Sequence, residues 1–197
     1  MLCRRSIASL VLTLVVVSSA VAADAEWPQF RGPGGQGHAT AIGLPSTWDE
    51  HTNIVWKADL PGRGWSSPVI AGEKIWLTTA VETPITEEEK AERLKGNTGN
   101  QPLTVSGKLS LRAVCVDRRS GQIAADVELL TEDRPQPTHA MNSFASPTPV
   151  LDGGKLYCHF GTHGTACLDT ATRQVLWTNR ELTINHENGA GSSPAFR

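Results

Sequence analysis

The sequence has no excess of basic residues: 18 Lys and Arg stand against 20 Asp and Glu, for a formal net charge of −2. The first 22 residues carry two Arg and no acid, so the remainder is more acidic still. A basic nucleic-acid-binding face is therefore excluded. There is no Cys-x-x-Cys-His haem attachment site, and the Gly-rich stretch Gly32–Gly37 lacks the Gly-Lys-Ser/Thr of a phosphate loop. No pair of carboxylates stands out as a glycosidase acid and nucleophile, since Asp117 and Asp169 read as turn residues. Hydrophobic content is only 39%, with 18 Gly and 12 Pro, which argues against a helical bundle. Long apolar runs are also missing, with one exception. Ile7–Val21 follows the basic start Arg4-Arg5 and ends at Ala20-Val21-Ala22, a small-x-small cleavage signal. This is the pattern of a secretory signal peptide over residues 1–22, too short and Ser-rich for a membrane span. The expected product is secreted or periplasmic, with no transmembrane segment after cleavage near Ala22.

What is present is an internal repeat. Ser67-Pro68-Val69-Ile70-Ala71-Gly72-Glu73-Lys74-Ile75-Trp76 aligns without a gap to Thr148-Pro149-Val150-Leu151-Asp152-Gly153-Gly154-Lys155-Leu156-Tyr157. Each copy reads as strand, tight Gly turn, strand. A third copy opens at Ser193-Pro194-Ala195-Phe196. A second element recurs as well. Ala113-Val114-Cys115-Val116-Asp117 through Gly121-Gln122-Ile123 matches Thr165-Ala166-Cys167-Leu168-Asp169 through Arg173-Gln174-Val175, and the second copy continues to Trp177. The Asp side chain can bond the backbone two residues on and start a turn, and Gly121 can supply positive φ. The structural repeat positions are thus Pro68, Gly72, Asp117 and Gly121 in the first copy and Pro149, Gly153, Asp169 and Trp177 in the second. Ala125 stands where the second copy has Trp177, and Arg173 stands where the first has Gly121. Pro149 and Pro194 are 45 residues apart, the length of one four-stranded propeller blade.

These motifs resemble the PQQ-type β-propeller repeat, a family that includes quinoprotein dehydrogenases and BamB-like assembly factors. The opening Trp27-Pro28-Gln29-Phe30-Arg31-Gly32-Pro33, with Leu44-Pro45, Trp48 and Ile54-Val55-Trp56-Lys57, is similar to secreted PQQ-like proteins common in planctomycete-type bacteria. The resemblance implies an all-β fold: a β-propeller of four-stranded antiparallel blades, incomplete in this chain, with one short helical insertion. Residues 23–53 form an N-terminal arm. Residues 54–197 form a partial propeller of about two blades and the start of a third, with Ile54–Lys57 as the closing strand of another. The expectation is an N-terminal part of a longer protein, because a ring needs roughly 4–8 blades.

The insertion spans about 82–108. Its helix starts either at Thr83-Pro84 or after a Thr86 cap with Glu89 as capping-box partner, and Gly96-Asn97 stops it. It reads either as a solvated surface helix or as a recognition element.

Cys158 and Cys167 flank one hairpin. If Phe160 pairs with Thr165 around the loop Gly161–Gly164, the two face each other and a disulfide is conceivable. The competing reading is packing: Leu77 replaces Cys158 in the other copy, and Cys115 and Cys167 are repeat-equivalent. Strand alternation turns His159 away from Cys158, so Cys158, His159, His163 and Cys167 do not form a zinc set. His38, His51, His139 and His186 sit in loop-like sequence and receive no role.

The resemblance leaves two functions open. The first is a non-catalytic binding and assembly scaffold, with protein partners met through loops, the arm or the insertion, and no cofactor. The alternative is a PQQ-dependent alcohol or sugar oxidoreductase, with PQQ and calcium held mostly outside this chain. For that alternative Trp65 or Trp76 would stack on the quinone, and Asn185-His186-Glu187-Asn188 is the richest oxygen cluster. The sequence lacks the adjacent cysteine pair that many such enzymes carry. The scaffold is the favoured expectation.

Overall fold

A computed structural model describes residues 26–186 and 188–195. The signal-peptide expectation falls on residues 1–22 and lies outside them. Among the described residues strands dominate, arranged in antiparallel sheets with one α-helix, so the fold is all-β.

The first repeat copy folds as a four-stranded meander. Strand β1 (Val69–Ala71) pairs with β2 (Lys74–Glu82), β2 with β4 (Lys108–Asp117), and β4 with β5 (Ile123–Asp133). The second copy repeats this order with β7 (Val150–Asp152), β8 (Lys155–His159), β9 (Thr165–Asp169) and β10 (Val175–Asn179). The turns are built alike. Gly72 and Gly153 take φ of 55° and 52°, letting the chain reverse in two residues, so that Ala71 faces Lys74 and Asp152 faces Lys155. Asp117 Oδ1 accepts from the backbone N–H of Arg119 and Ser120 at 3.2 and 3.1 Å. Asp169 Oδ1 accepts in the same way from Ala171 and Thr172 at 3.0 and 2.7 Å. Gly121 and Arg173 then return N–H bonds to the Asp carbonyls, both at 2.8 Å. Arg173 adopts the left-handed φ of 63° that glycine takes at the equivalent position.

A segment carrying the helix runs between the end of β2 at Glu82 and the start of β4 at Lys108. Of the two candidate starts, the cap is Thr86: its side chain accepts from Glu89 N at 3.1 Å, ahead of helix α1 (Glu87–Arg93). The helix does not float free. Arg93 Nη1 donates to Ser106 O at 2.6 Å and Nη2 to Pro135 O. A two-stranded sheet of β3 (Leu103–Thr104) and β6 (Thr138–His139) closes the base of the insertion and had no signal in the sequence.

The two meanders pack face to face. Cross-strand neighbours share a face, so Val69, Trp76, Cys115 and Ala125 lie on one side of the first sheet. They form one core with Leu156, Cys158, Phe160, Ala166 and Leu168 of the second. Arg180 crosses between the sheets, its Nη1 donating to Glu132 Oε2 at 2.9 Å. Ile54–Lys57, expected as a strand, pairs with no strand among the described residues. Its residue Trp56 is nonetheless fixed, as described below.

The disulfide expectation is corrected. A 3-10 turn at Gly161–His163 widens the hairpin loop by one residue, with Phe160 N donating to Gly164 O at 2.8 Å. His159 therefore faces Thr165, Cys158 faces Ala166, and Tyr157 faces Cys167. One step of register turns a side chain to the other face. Cys158 points into the core between the sheets and Cys167 to the opposite side, and Cys115, Cys158 and Cys167 are all buried free thiols.

Candidate functional site

Repeat equivalence shows what each sheet face meets. On the first sheet the row Val69, Trp76, Cys115, Ala125 is covered by the second sheet, and Trp76 is 3% exposed. The matching row on the second sheet is Val150, Tyr157, Cys167, Trp177, set by the same registers. Val150 and Cys167 are buried, but Tyr157 is half-buried and Trp177 is 44% exposed. Their rings sit 6.2 Å apart at a tilt of 50°. Val175, Leu176, Leu182 and Ile184 add exposed apolar surface beside them. A cleft of about 620 Å³ opens between Trp177, Thr165 and Leu182. Burial pushes the Cys167 thiol above its usual range, against the opposing pull of Lys155 and a Tyr157 hydrogen bond.

The seam between units has its own chemistry. Trp56 sits so close to Gly121 that a Cβ there would lie 2.6 Å from the indole, and its Nε1 donates to Arg118 O at 2.9 Å. The equivalent pair between the two sheets, Ala125 and Arg173, has neither ring nor glycine. The charge of Arg173 reaches the Cys115 thiol, which burial otherwise pushes up. A second link runs along the starts of the repeats. Ser67 N donates to Thr148 Oγ1 at 3.0 Å, and Thr148 N donates to Ser193 Oγ at 2.9 Å. The residue before each repeat proline thus accepts from its predecessor. The recurring Ser/Thr-Pro, which in the sequence reads only as the opening of each strand–turn–strand unit, is the signal for this chain of bonds.

The other predicted residues take structural places. Pro68 and Pro149 open β1 and β7, and Gly72, Gly153, Asp117 and Asp169 make turns. Hydrogen bonds from Ser120 and Lys74 hold the Asp117 carboxyl down at about 2. The oxygen cluster is not arranged as a cation cage. Asn188 O accepts from Thr138 Oγ1 at 3.0 Å and Asn142 Nδ2 at 2.7 Å, while Gln136 Nε2 donates to Asn185 Oδ1 and His186 O. These oxygens clamp a loop onto the body, and Glu187 lies outside the described residues. Trp76 is sealed in the core and cannot stack on a ligand, whereas Trp65 is 62% exposed. His163, given no free-standing role in the sequence, is buried against Phe144 in an edge-on contact of 5.8 Å. Among the described residues no group of His, Cys, Asp or Glu could hold a metal, and no helix is long and apolar enough to cross a membrane. No protein-family model matches the chain, and no curated protein matches it.

Proposed function

We infer that the protein is a secreted or periplasmic PQQ-like β-propeller repeat protein acting as a non-catalytic binding scaffold. The observation that carries the reading is the exposed Tyr157–Trp177 face, the repeat equivalent of a face that the neighbouring sheet buries in the first unit. Its fitting occupant is another four-stranded sheet of the same repeat. Ser193 already holds the place against Thr148 that Thr148 holds against Ser67. Apolar faces of this kind mark interaction sites. Protein partners meet the exposed Glu87-Glu88 side of the insertion, a helix pinned to the body by Arg93. The acidic repeat residues are spent on turns, which supports binding over chemistry.

Titration of the protein with PQQ and Ca²⁺ tests this reading against the oxidoreductase one. A ligand that binds only the folded state raises the thermal midpoint. The scaffold reading expects no midpoint shift and no saturable Trp fluorescence change at excess ligand. A saturable shift replaces it with the quinoprotein reading.

A further inference from the structure

The arm Trp27–Gly37 is held more firmly than a linker needs to be. Trp27 and Ile70 exchange backbone bonds at 2.9 Å in both directions, extending the first sheet past β1. Pro28 O accepts from Leu151 N at 2.8 Å, tying the arm to the second sheet as well. The chain then folds back on itself. Gly32 N donates to Gln29 O at 2.8 Å, and Gly37 N to Arg31 O at 2.7 Å. Gly32 is required there: at φ 67° a Cβ would stand 2.5 Å from the Trp27 ring. Arg31 is held at φ 63°, a conformation that L-residues other than Asn and Asp rarely adopt. Strain of this kind persists where surrounding contacts over-determine it, and it clusters at ligand clamps.

The product of this fold is a cleft of about 690 Å³ between the arm and the starts of the repeats. Phe30, Arg31, Trp65, Ser67, Thr148 and Ser193 line it. Its size suits a small-molecule ligand. Its polar chemistry is one-sided. Among the described residues Arg31 makes no ion pair and no carboxylate lines the cleft. Ser193 Oγ accepts a backbone N–H, which leaves its O–H donor unspent, while Thr148 Oγ1, which accepts the other, is buried behind it. The Ser67 hydroxyl has no partner among the described residues, and the Gln29 amide beside it adds both a donor and an acceptor. Two large aromatic rings are exposed here, Phe30 at 49% and Trp65 at 62%, and the Arg31 guanidinium lies over the Phe30 ring, 5.5 Å from its centroid, leaving the opposite ring face and Trp65 for a ligand.

We propose that this cleft binds an acidic saccharide, a short chain of pyranose rings bearing anionic groups. The apolar C–H faces of the rings lie on Trp65 and Phe30. Arg31 takes the anionic substituent through its donor fork. The Ser67 and Ser193 hydroxyls and Gln29 serve the sugar hydroxyls, which need both donors and acceptors. A flat aromatic polyacid would use the cation and the rings but leave the acceptors idle.

The test is Trp fluorescence titration of the full chain with α-1,4-linked trigalacturonate, with maltotriose, with a sulfated trisaccharide and with PQQ. Saturable binding of trigalacturonate, at least tenfold tighter than maltotriose, is the expected result, and the sulfated arm shows whether carboxylate or sulfate is preferred. Arg31→Ala brings trigalacturonate down to the level of maltotriose, and Arg31→Lys falls between. Trp65→Ala weakens both sugars at least tenfold. Both side chains are exposed, so unchanged thermal midpoints certify that the variants fold. Equal binding of neutral and acidic sugars, an Arg31→Ala variant that binds like wild type, or saturation by PQQ alone overturns the proposal. None of these residues belongs to the Trp177 face, so equal sugar binding or an unaffected Arg31→Ala variant leaves the scaffold reading standing, whereas saturation by PQQ removes both.

Discussion

Trp56 closes over Gly121, a residue 65 positions further along the chain, and donates its indole N–H to the carbonyl of Arg118 at 2.9 Å. The turn that Asp117 nucleates is therefore also a socket. Its floor has to be glycine for two reasons, the φ of 72° and the ring 2.6 Å from where a Cβ would stand.

Gly121→Ala is expected to destabilise the fold by about 2–3 kcal/mol, combining overpacking with a strained backbone. Urea denaturation reads this as a lower midpoint. Trp56→Ala in the same chain removes the overlap, so the double variant loses less than the sum of the singles. Strict additivity would mean the two do not share a seam.

Thr148 is 2% exposed and carries both hydrogen bonds that link the repeat starts. Thr148→Val keeps the shape but leaves Ser67 N without its acceptor, at a cost of about 1–3 kcal/mol. Thr148→Ser keeps the acceptor and is expected to stay close to wild type. Thermal melts of the three proteins check the ranking.

The three buried thiols should resist chemistry in the native state. Burial pushes Cys158 strongly upward, and Cys115 and Cys167 in the same direction. Only thiolate reacts readily. Native protein treated with Ellman's reagent leaves these three unmodified, and guanidinium releases them. Peptide mapping without reductant finds no Cys158–Cys167 bridge, and a bridged peptide would contradict the register of β8 and β9.

Stability should fall between neutral pH and about pH 4. Burial, then the charges of His186 and Arg180, lower the His163 imidazole from 6.5 to about 4, and burial lowers His159 too. The unfolded chain binds the proton first, so stability is fully present above about pH 6.5 and drains as pH falls toward 4. For His163 the loss is at most about 3 kcal/mol. Asp117 acts in a lower window: its stabilising contribution is lost as pH falls from 3.8 to about 2. Urea midpoints measured across this range should show a slope that His163→Gln flattens above pH 4 and leaves intact below it.

The repeat was legible because it is written in local chemistry. Glycines at positive φ, Asp-initiated turns and alternating apolar residues each act within a few positions, and both meanders follow them. Thr86 with Glu89 was one of the two helix starts that local chemistry offered, beside Thr83-Pro84, and it is the one the fold uses. The hairpin between β8 and β9 was misread because one residue of loop length decides the face, and a 3-10 turn leaves no distinct residue signature. The role of Trp27-Pro28-Gln29-Phe30-Arg31 was invisible for a different reason. Its partners, Ile70 and Leu151, are distant in sequence, and only the folded chain brings them to the arm. The Ser/Thr before each repeat proline could have been read as a link between units, since a hydroxyl recurring beside a strand start is an acceptor at a fixed place.

The most direct test of the account is sedimentation velocity on wild type and Trp177→Glu across a concentration series. A second copy of the chain offers one such four-stranded sheet to the Tyr157–Trp177 face. The account predicts concentration-dependent association of the wild type that the charged variant abolishes while keeping its thermal midpoint. A wild type that stays monomeric throughout, or a variant that associates equally well, would contradict it.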